Sequence, residues 1–176
     1  MNGLGDAVAV WSRPGDGVSN DAVQAATRPA GGSWSPPVEV SSFPPGGPCP
    51  CVNGSPQVAL DGQGNAVAVW DAGQSPLPDG TRNPNRIIQA STRAPGGRWS
   101  SPVPISSVGL DSKNPHVAVD GQGEAVAVWR ARPPIRLPFV GPNNGIIQTA
   151  TRTGGNWSES QNLTRADQTN DDPSWQ

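Results

Sequence analysis

The sequence predicts an all-β protein, a β-propeller with three four-stranded blades per chain. The string Ala-Val-Ala-Val-Trp occurs three times, at residues 7–11, 66–70 and 125–129, and each copy starts 59 residues after the previous one. No segment carries helical periodicity. Short segments rich in Val, Ile, Thr and Ala alternate instead with Gly, Pro, Asn and Asp, as strands alternate with turns. Four-stranded sheets that recur every ~40–60 residues are typical of propeller blades.

The second copy shows the repeated unit most fully, and it predicts four antiparallel strands. Strand A covers 58–60, strand B 66–70, strand C 86–93 and strand D 99–105. The Asp-Gly-Gln-Gly turn at 61–64 supplies glycines for the positive φ angles of a tight hairpin between strands A and B. Six of the seven tryptophans occupy repeated positions, which predicts an apolar core between neighbouring blades.

The chain is predicted to be a single array of blades over residues 1–176. Blade 1 spans about 1–42, blade 2 about 56–107 and blade 3 about 115–164, and residues 172–176 match the opening of a further unit. Blade 1 lacks a strand A, so 172–176 is interpreted as a spare first strand for a neighbouring blade. Three blades leave two apolar faces open. We therefore expect a homodimer that closes a six-bladed ring by strand exchange, or a head-to-tail filament.

The composition argues against several classes of partner. The chain has 12 basic and 14 acidic residues, and its net charge of −2 does not favour nucleic acid, which needs clustered cations. No apolar run approaches the ~18 residues of a membrane span, so no membrane partner is expected. Residues 1–5 show no features of a signal peptide. The chain has 11 Arg and one Lys, and this preference suggests a GC-rich bacterial genome. We expect an extracellular or cell-surface protein. No cofactor or metal is expected.

Loops of variable length mark one face as the candidate binding surface. The B-to-C and D-to-A connections emerge on the same face, and they differ in length between the copies, whereas the strands do not. Variable loops on a constant scaffold commonly carry recognition. Arginine clamps carboxylate, sulfate or phosphate, and aspartate accepts hydrogen bonds from sugar hydroxyls. The candidate ligand-binding residues in these loops are Asp71, Asp79, Arg82, Arg86, Arg130, Arg132 and Arg136.

The two cysteines of the chain, Cys49 and Cys51, lie in the insertion between blades 1 and 2. A disulfide between residues spaced in this way is sterically strained, and two thiolates are an incomplete zinc site. A local bridge, a bridge across a dimer, metal capture with a symmetry mate and a plain loop all remain open.

The succession Pro-x-Val-Ala-x-Asp-Gly-x-Gly, Ala-Val-Ala-Val-Trp and Gly-Gly-x-Trp-Ser resembles the bacterial sialidase-like propellers with Asp-box (BNR) repeats. A similar strand and Gly-Trp arrangement occurs in small fucose-binding lectins. The Asp-box of the sialidase-like family is degenerate here, because 96–100 keeps the glycines and the Trp but lacks the Asp. Sialidases of that family use a Tyr nucleophile. This chain contains no tyrosine, so the resemblance implies the fold without sialidase catalysis.

These observations predict a non-catalytic, lectin-like propeller module that binds glycan or another surface ligand through the loops on one face. One alternative is a structural unit whose head-to-tail assembly is its function. A second alternative is a glycoside hydrolase that uses Asp or Glu. The prediction that the chain is not an enzyme rests on the missing tyrosine.

Overall fold

The protein is an all-β structure, known from a computed structural model that describes residues 1–14, 21–41, 53–74, 83, 85–132 and 145–164. These residues form twelve strands in three antiparallel sheets, and no helix occurs among them. The described residues accordingly contain no helix long and apolar enough to cross a membrane. The extracellular location stays a prediction.

Sheet 1 has the order β1-β2-β3, with β1 at Ala7–Arg13, β2 at Ala22–Arg28 and β3 at Val38–Glu39. Strand β1 carries the first Ala-Val-Ala-Val-Trp string, whose β-branched residues favour a pleated strand. Trp11 lies directly opposite Gln24, and this Trp-Gln pairing recurs in the other two sheets.

Sheet 2 has the order β4-β5-β6-β7. Its strands are β4 (Asn53–Leu60), β5 (Ala66–Gly73), β6 (Arg86–Arg93) and β7 (Val103–Pro104). The turn between β4 and β5 is held by Asp61, whose Oδ1 accepts hydrogen bonds from the backbone N–H groups of Gln63 and Asn65 at 2.9 and 2.8 Å. The carboxylate thus replaces ladder hydrogen bonds that the turn cannot make.

Sheet 3 repeats this arrangement with the order β11-β10-β9-β8, and β12 also pairs with β10. Its strands are β8 (Asp111–Val119), β9 (Ala125–Arg132), β10 (Ile146–Thr153), β11 (Asn156–Trp157) and β12 (Gln161–Asn162).

The first strand of sheets 2 and 3 is longer than the sequence predicts, because each continues through a bulge. The register shifts between Gly54 and Gln57 in β4 and between Lys113 and His116 in β8. Within the bulges Ser55 and Asn114 have φ angles of 49° and 53°. Such bulges let a strand bend without ending, and they re-aim the side chains that precede them.

The fourth strand is shorter than predicted. Only Val103 and Pro104 of the expected strand at 99–105 form ladder pairs in β7, besides an isolated bridge from Trp99 to Arg93. Pro102 and Pro104 carry no N–H group, so this edge cannot sustain a continuous ladder. Strand C, in contrast, matches the prediction, since β6 spans Arg86–Arg93.

Alternate residues of the repeated strand pack in opposite directions, as expected for a pleated strand. One core cluster joins sheets 1 and 2, and its buried members are Val23, Ala25, Val40, Ala68, Trp70 and Ala72. A second cluster joins sheets 2 and 3, and its buried members are Val69, Ile88, Ala90, Ile105, Ala127, Trp129, Ala131, Ile146 and Ala150. The tryptophan at the end of the string therefore packs on the preceding sheet, and the middle sheet is covered on both faces.

The prediction of an all-β fold built from antiparallel sheets is confirmed. The number of blades, the half-ring and the domain boundaries at about 1–42, 56–107 and 115–164 stay predictions. The spare strand at 172–176 lies outside the described residues.

Candidate functional site

The repeated strand is followed by charged residues in sheets 2 and 3. Asp71 comes directly after Trp70 in β5, and Arg130 comes directly after Trp129 in β9. This end of the sheets, where β4 and β8 begin and β5 and β9 end, is called the loop face. It lies opposite the turns at 61–64 and 120–123, because those turns join the other ends of the same strands.

An ion pair occupies the loop face of sheet 2. Arg86 donates from Nη1 to Oδ1 of Asp71, whose side chain is 2% exposed against 22% for Arg86. A Cβ atom at Gly54 would lie 3.0 Å from Nη1 of Arg86 and 3.2 Å from Oδ1 of Asp71. Glycine at the start of β4 therefore leaves the space in which this pair forms.

Asp111 connects the loop faces of sheets 2 and 3. Its Oδ1 accepts a hydrogen bond from the backbone N–H of Arg86 at 3.0 Å, and its Oδ2 forms an ion pair with Nζ of Lys113 at 2.7 Å. Neither Asp111 nor Lys113 is among the sequence-predicted site residues. They lie two positions apart at the start of a strand, and this spacing is the signal that places them on one face.

Two arginines of β9 extend the cluster. In the register of sheet 3, Arg132 lies opposite Asp111 and Arg130 lies opposite Lys113. The Nε atoms of both arginines are buried, and neither has a hydrogen-bond partner in the part of the chain that the structure describes. Such donors are costly to leave unpaired, and a ligand with acceptor atoms relieves that cost.

In sheet 3 the absence of a side chain at Gly145 leaves the space that the side chain of Arg130 occupies. A Cβ atom at Gly145 would lie 2.6 Å from Nε of Arg130, closer than real Cβ contacts allow. The position that corresponds to Gly145 in sheet 2 is Arg86, because Gln89 and Gln148 occupy the same site opposite the repeated Trp. Arg130 thus occupies the position that Asp71 occupies in sheet 2. The position of Arg86 is occupied in sheet 3 by Gly145, which carries no charged side chain.

The charged cluster consists of the six residues on the loop face described above: Asp71, Arg86, Asp111, Lys113, Arg130 and Arg132. Of the sequence-predicted ligand residues, the structure brings Asp71 and Arg86 into contact and places Arg130 and Arg132 beside Asp111 and Lys113. Asp79, Arg82 and Arg136 lie outside the described residues, as do Cys49 and Cys51.

Two grooves lie at the opposite end of the molecule and were not expected from the sequence. One, of about 220 Å³, runs between sheets 1 and 2, and the other, of about 420 Å³, runs between sheets 2 and 3. Arg93 and Arg152 line the second groove, but they already donate to the backbone oxygens of Gly97 and Gly123 at 2.9 and 3.1 Å. Arg93 and Arg152 thus each use a guanidinium N–H group to bind a turn. They therefore have fewer N–H groups available for a ligand than Arg130 and Arg132.

No group of three or more His, Cys, Asp or Glu with the proximity needed for a metal ion is found over the described ranges. The residues of the charged cluster support ionic and hydrogen-bonded recognition by arginine, lysine and aspartate.

Neither a protein-family model nor a curated protein sequence matches the chain. Among solved structures, it is similar to the Hadza microbial sialidase Hz136, with 13% identity and a TM-score of 0.62 over 89% of this chain and 35% of that chain. It is also similar to the GH93 α-L-arabinofuranosidase of Fusarium graminearum in complex with arabinobiose, with 15% identity and a TM-score of 0.52 over 90% of this chain and 45% of that chain. The chain spans less than half the length of either structure. At these identities the likeness shows the fold, that of the sialidase-like β-propellers.

The similarities contradict the prediction that the chain is not an enzyme, because both structures are glycoside hydrolases. That prediction was wrong in its physical reasoning as well. The missing tyrosine removes the nucleophile of sialidases, whereas most glycoside hydrolases use a pair of Asp or Glu residues. The chain has 14 acidic residues, and two of them lie in the charged cluster.

Proposed function

We propose that this chain is part of a glycan-acting β-propeller and that it binds a glycan at the loop face through the charged cluster. The observation that carries the proposal is the pair of buried Nε donors on Arg130 and Arg132 that have no partner among the described residues. The fold supports it, since the two similar structures are a sialidase and an arabinofuranosidase. Fold alone does not determine function, so the proposal rests on the cluster.

The charges of the cluster favour an acidic glycan. Asp71 is paired with Arg86, and Asp111 is paired with Lys113. Arg130 and Arg132 are left without a carboxylate partner in the described part of the chain, which gives the cluster a positive surplus. Guanidinium groups bind carboxylate and sulfate with two parallel hydrogen bonds, so a sugar that carries one of these groups is the ligand class we propose.

Binding of sialyllactose, an oligogalacturonate and neutral arabinobiose tests this proposal by isothermal titration calorimetry. We expect at least one acidic sugar to bind more tightly than arabinobiose. The double variant Arg130→Ala/Arg132→Ala is expected to weaken that binding by about tenfold or more, since a hydrogen bond to a charged group contributes about 1.5–3 kcal/mol.

Arg98→Ala is the control, because Arg98 is an exposed arginine at the opposite end of the sheets; it removes one positive charge, whereas the double variant removes two. Binding that is unchanged in the double variant, or that falls equally in the control, would refute the site. A preference for arabinobiose over both acidic sugars would refute the ligand class.

Hydrolysis is the second candidate function, and the two carboxylates of the cluster favour it. Asp71 contacts the guanidinium of Arg86, and Asp111 contacts the backbone N–H of the same residue. A pair of neighbouring carboxylates is what most glycoside hydrolases use. If the chain cleaves any of the three sugars, Asp111→Asn is expected to slow release of the product by about 100-fold or more, while the exposed Glu159→Gln is expected to leave it unchanged.

A further inference from the structure

Sheet 1 leaves uncovered the side that the other sheets bury. Trp70 of β5 is fully buried against the preceding sheet, whereas the same string in β1, which includes Trp11, is only half-buried along its length. Trp34 is 48% exposed, while its counterparts Trp99 and Trp157 pack against the two core clusters. Since the residues are the same, the exposure of sheet 1 follows from the lack of a neighbouring sheet on that side among the residues that the structure describes.

Within the described residues, sheet 3 leaves the opposite side uncovered. Three residues occupy equivalent positions: Val40, Ile105 and Leu163. Each donates its backbone N–H at 2.8 Å to the strand that follows the repeated strand, which is β2, β6 or β10. Val40 and Ile105 are each 4% exposed and belong to the clusters between sheets, but Leu163 is 60% exposed. Val126 of β9 repeats this contrast, since it is 38% exposed while the corresponding Val67 is 2% exposed.

The two uncovered sides match the two halves of the interfaces that the sheets form within the chain. Between sheets 1 and 2, the side that carries Val40 receives the side that carries Trp70. Between sheets 2 and 3, the side that carries Ile105 receives the side that carries Trp129. The side that carries Leu163 therefore has the shape and apolar character to receive a sheet that presents Trp11, as sheet 1 does. The interfaces within the chain thus indicate what kind of surface fits the exposed face of sheet 3.

We propose that a second copy of this chain places its sheet 1 against sheet 3 of the first copy, in a head-to-tail contact. The side chains that this contact buries include Leu163 and Val126 of one copy and Trp11 and Trp34 of the other. The formal net charge of −2 opposes such association only weakly. A contact between two different surfaces repeats in every copy, so it closes into a ring if the rotation allows and continues as a filament if it does not.

The contact also completes the surroundings of the charged cluster. Arg130 alternates along β9 with residues of the sheet 2 interface and therefore lies on the same side of sheet 3 as Val126. In the chain itself, Asp71 and Arg86 hold the corresponding place in sheet 2, and Asp111 of the next sheet borders them. Among the described residues, sheet 1 of the second copy has no first strand equivalent to β8, so it is expected to border Arg130 through β1 without a counterpart of Asp111. The association does not depend on the proposed glycan binding.

Light scattering coupled to size-exclusion chromatography over a dilution series tests the contact. The 176-residue chain is expected to elute at twice its mass of 18.1 kDa, or as a longer series of multiples. Leu163→Asp and Trp34→Asp each place a charge on one half of the interface, and each is expected to shift the protein to 18.1 kDa. Val108→Asp is the control, because Val108 is 85% exposed in a turn and lies on neither half.

Mixing the two variants distinguishes this contact from any other. Each mixed pair retains one intact contact, between the unaltered sheet 3 of Trp34→Asp and the unaltered sheet 1 of Leu163→Asp, so the dimer is expected to return. A wild-type chain that stays monomeric at every concentration would overturn the proposal. Association that survives both substitutions, or a mixture that stays monomeric, would overturn it as well. Far-ultraviolet circular dichroism of each variant verifies that the sheets are intact.

Discussion

Sheets 2 and 3 contain the same five-residue string, Ala-Val-Ala-Val-Trp, but differ in the residues that follow it. In sheet 2 the string is followed by Asp71, which forms an ion pair with Arg86. In sheet 3 it leads to Arg130, and the position that corresponds to Arg86 is Gly145, which offers space instead of a charge. The repeat therefore forms the scaffold, while the residues immediately after it determine the chemistry of the loop face.

The buried tryptophans of the two sheets differ as well, although their strands have the same sequence. Trp129 donates from Nε1 to Oε1 of Gln148 at 3.1 Å, and Gln148 donates to Oδ1 of Asn162 at 2.9 Å. In sheet 2 neither Nε1 of Trp70 nor Oε1 of Gln89 has a partner among the described residues. Proline occupies the place of Asn162 there, opposite Gln89, and it has no side-chain acceptor to orient the amide.

The largest expected effect separates buried from exposed tryptophan. Trp129→Ala and Trp70→Ala remove side chains that are fully buried, so each is expected to lower the free energy of unfolding by about 3–5 kcal/mol. Trp34→Ala is the control, and because Trp34 is 48% exposed in the single chain it is expected to cost about 1 kcal/mol or less at concentrations at which the protein is monomeric. Urea denaturation followed by circular dichroism measures all three. Equal losses would contradict the assignment of Trp70 and Trp129 to the core.

A smaller effect is expected where the charges of the two sheets differ. Asp71→Ala leaves Arg86 partly buried without its carboxylate, and we expect a loss of about 2 kcal/mol, below the cost for a fully buried pair. Arg130→Ala removes a donor that lacks a partner among the described residues, so its cost is expected to stay below about 1 kcal/mol. Urea denaturation measures both.

The double variant Asp71→Ala/Arg86→Ala serves as the control for the ion pair, since removing both charges should cost less than the sum of the two single losses. Additive losses would show that the two side chains do not act as a pair.

The smallest expected effect concerns the amide beside each tryptophan. Gln148→Leu breaks the hydrogen bonds to Trp129 and Asn162, and we expect it to lower the stability by about 1–2 kcal/mol. Gln89→Leu in sheet 2 is the matched control, because Oε1 of Gln89 accepts no hydrogen bond from the described residues. A difference of less than about 0.5 kcal/mol between the two variants would contradict the contrast between the sheets.

Much of the scaffold follows from local sequence. The spacing of 59 residues and the Ala-Val alternation predict the strands that carry the core, and strand C was predicted with its observed bounds, Arg86–Arg93. The variable loops predict Asp71, Arg86, Arg130 and Arg132 as ligand-binding residues, and all four lie on the loop face. These features depend on side-chain period and turn residues, which are properties of short segments.

Contacts between distant segments determine which of these residues lie together and which surfaces are buried. Asp111 joins the cluster because sheet 3 packs beside β6, a contact 25 residues away along the chain. The space that Gly54 and Gly145 leave for arginine depends on a neighbouring strand. Trp11 and Trp70 have the same local sequence, yet Trp11 is only partly buried whereas Trp70 is fully buried, since burial depends on the sheet that packs against each. Local pattern determines strands, whereas contacts between distant segments determine a site.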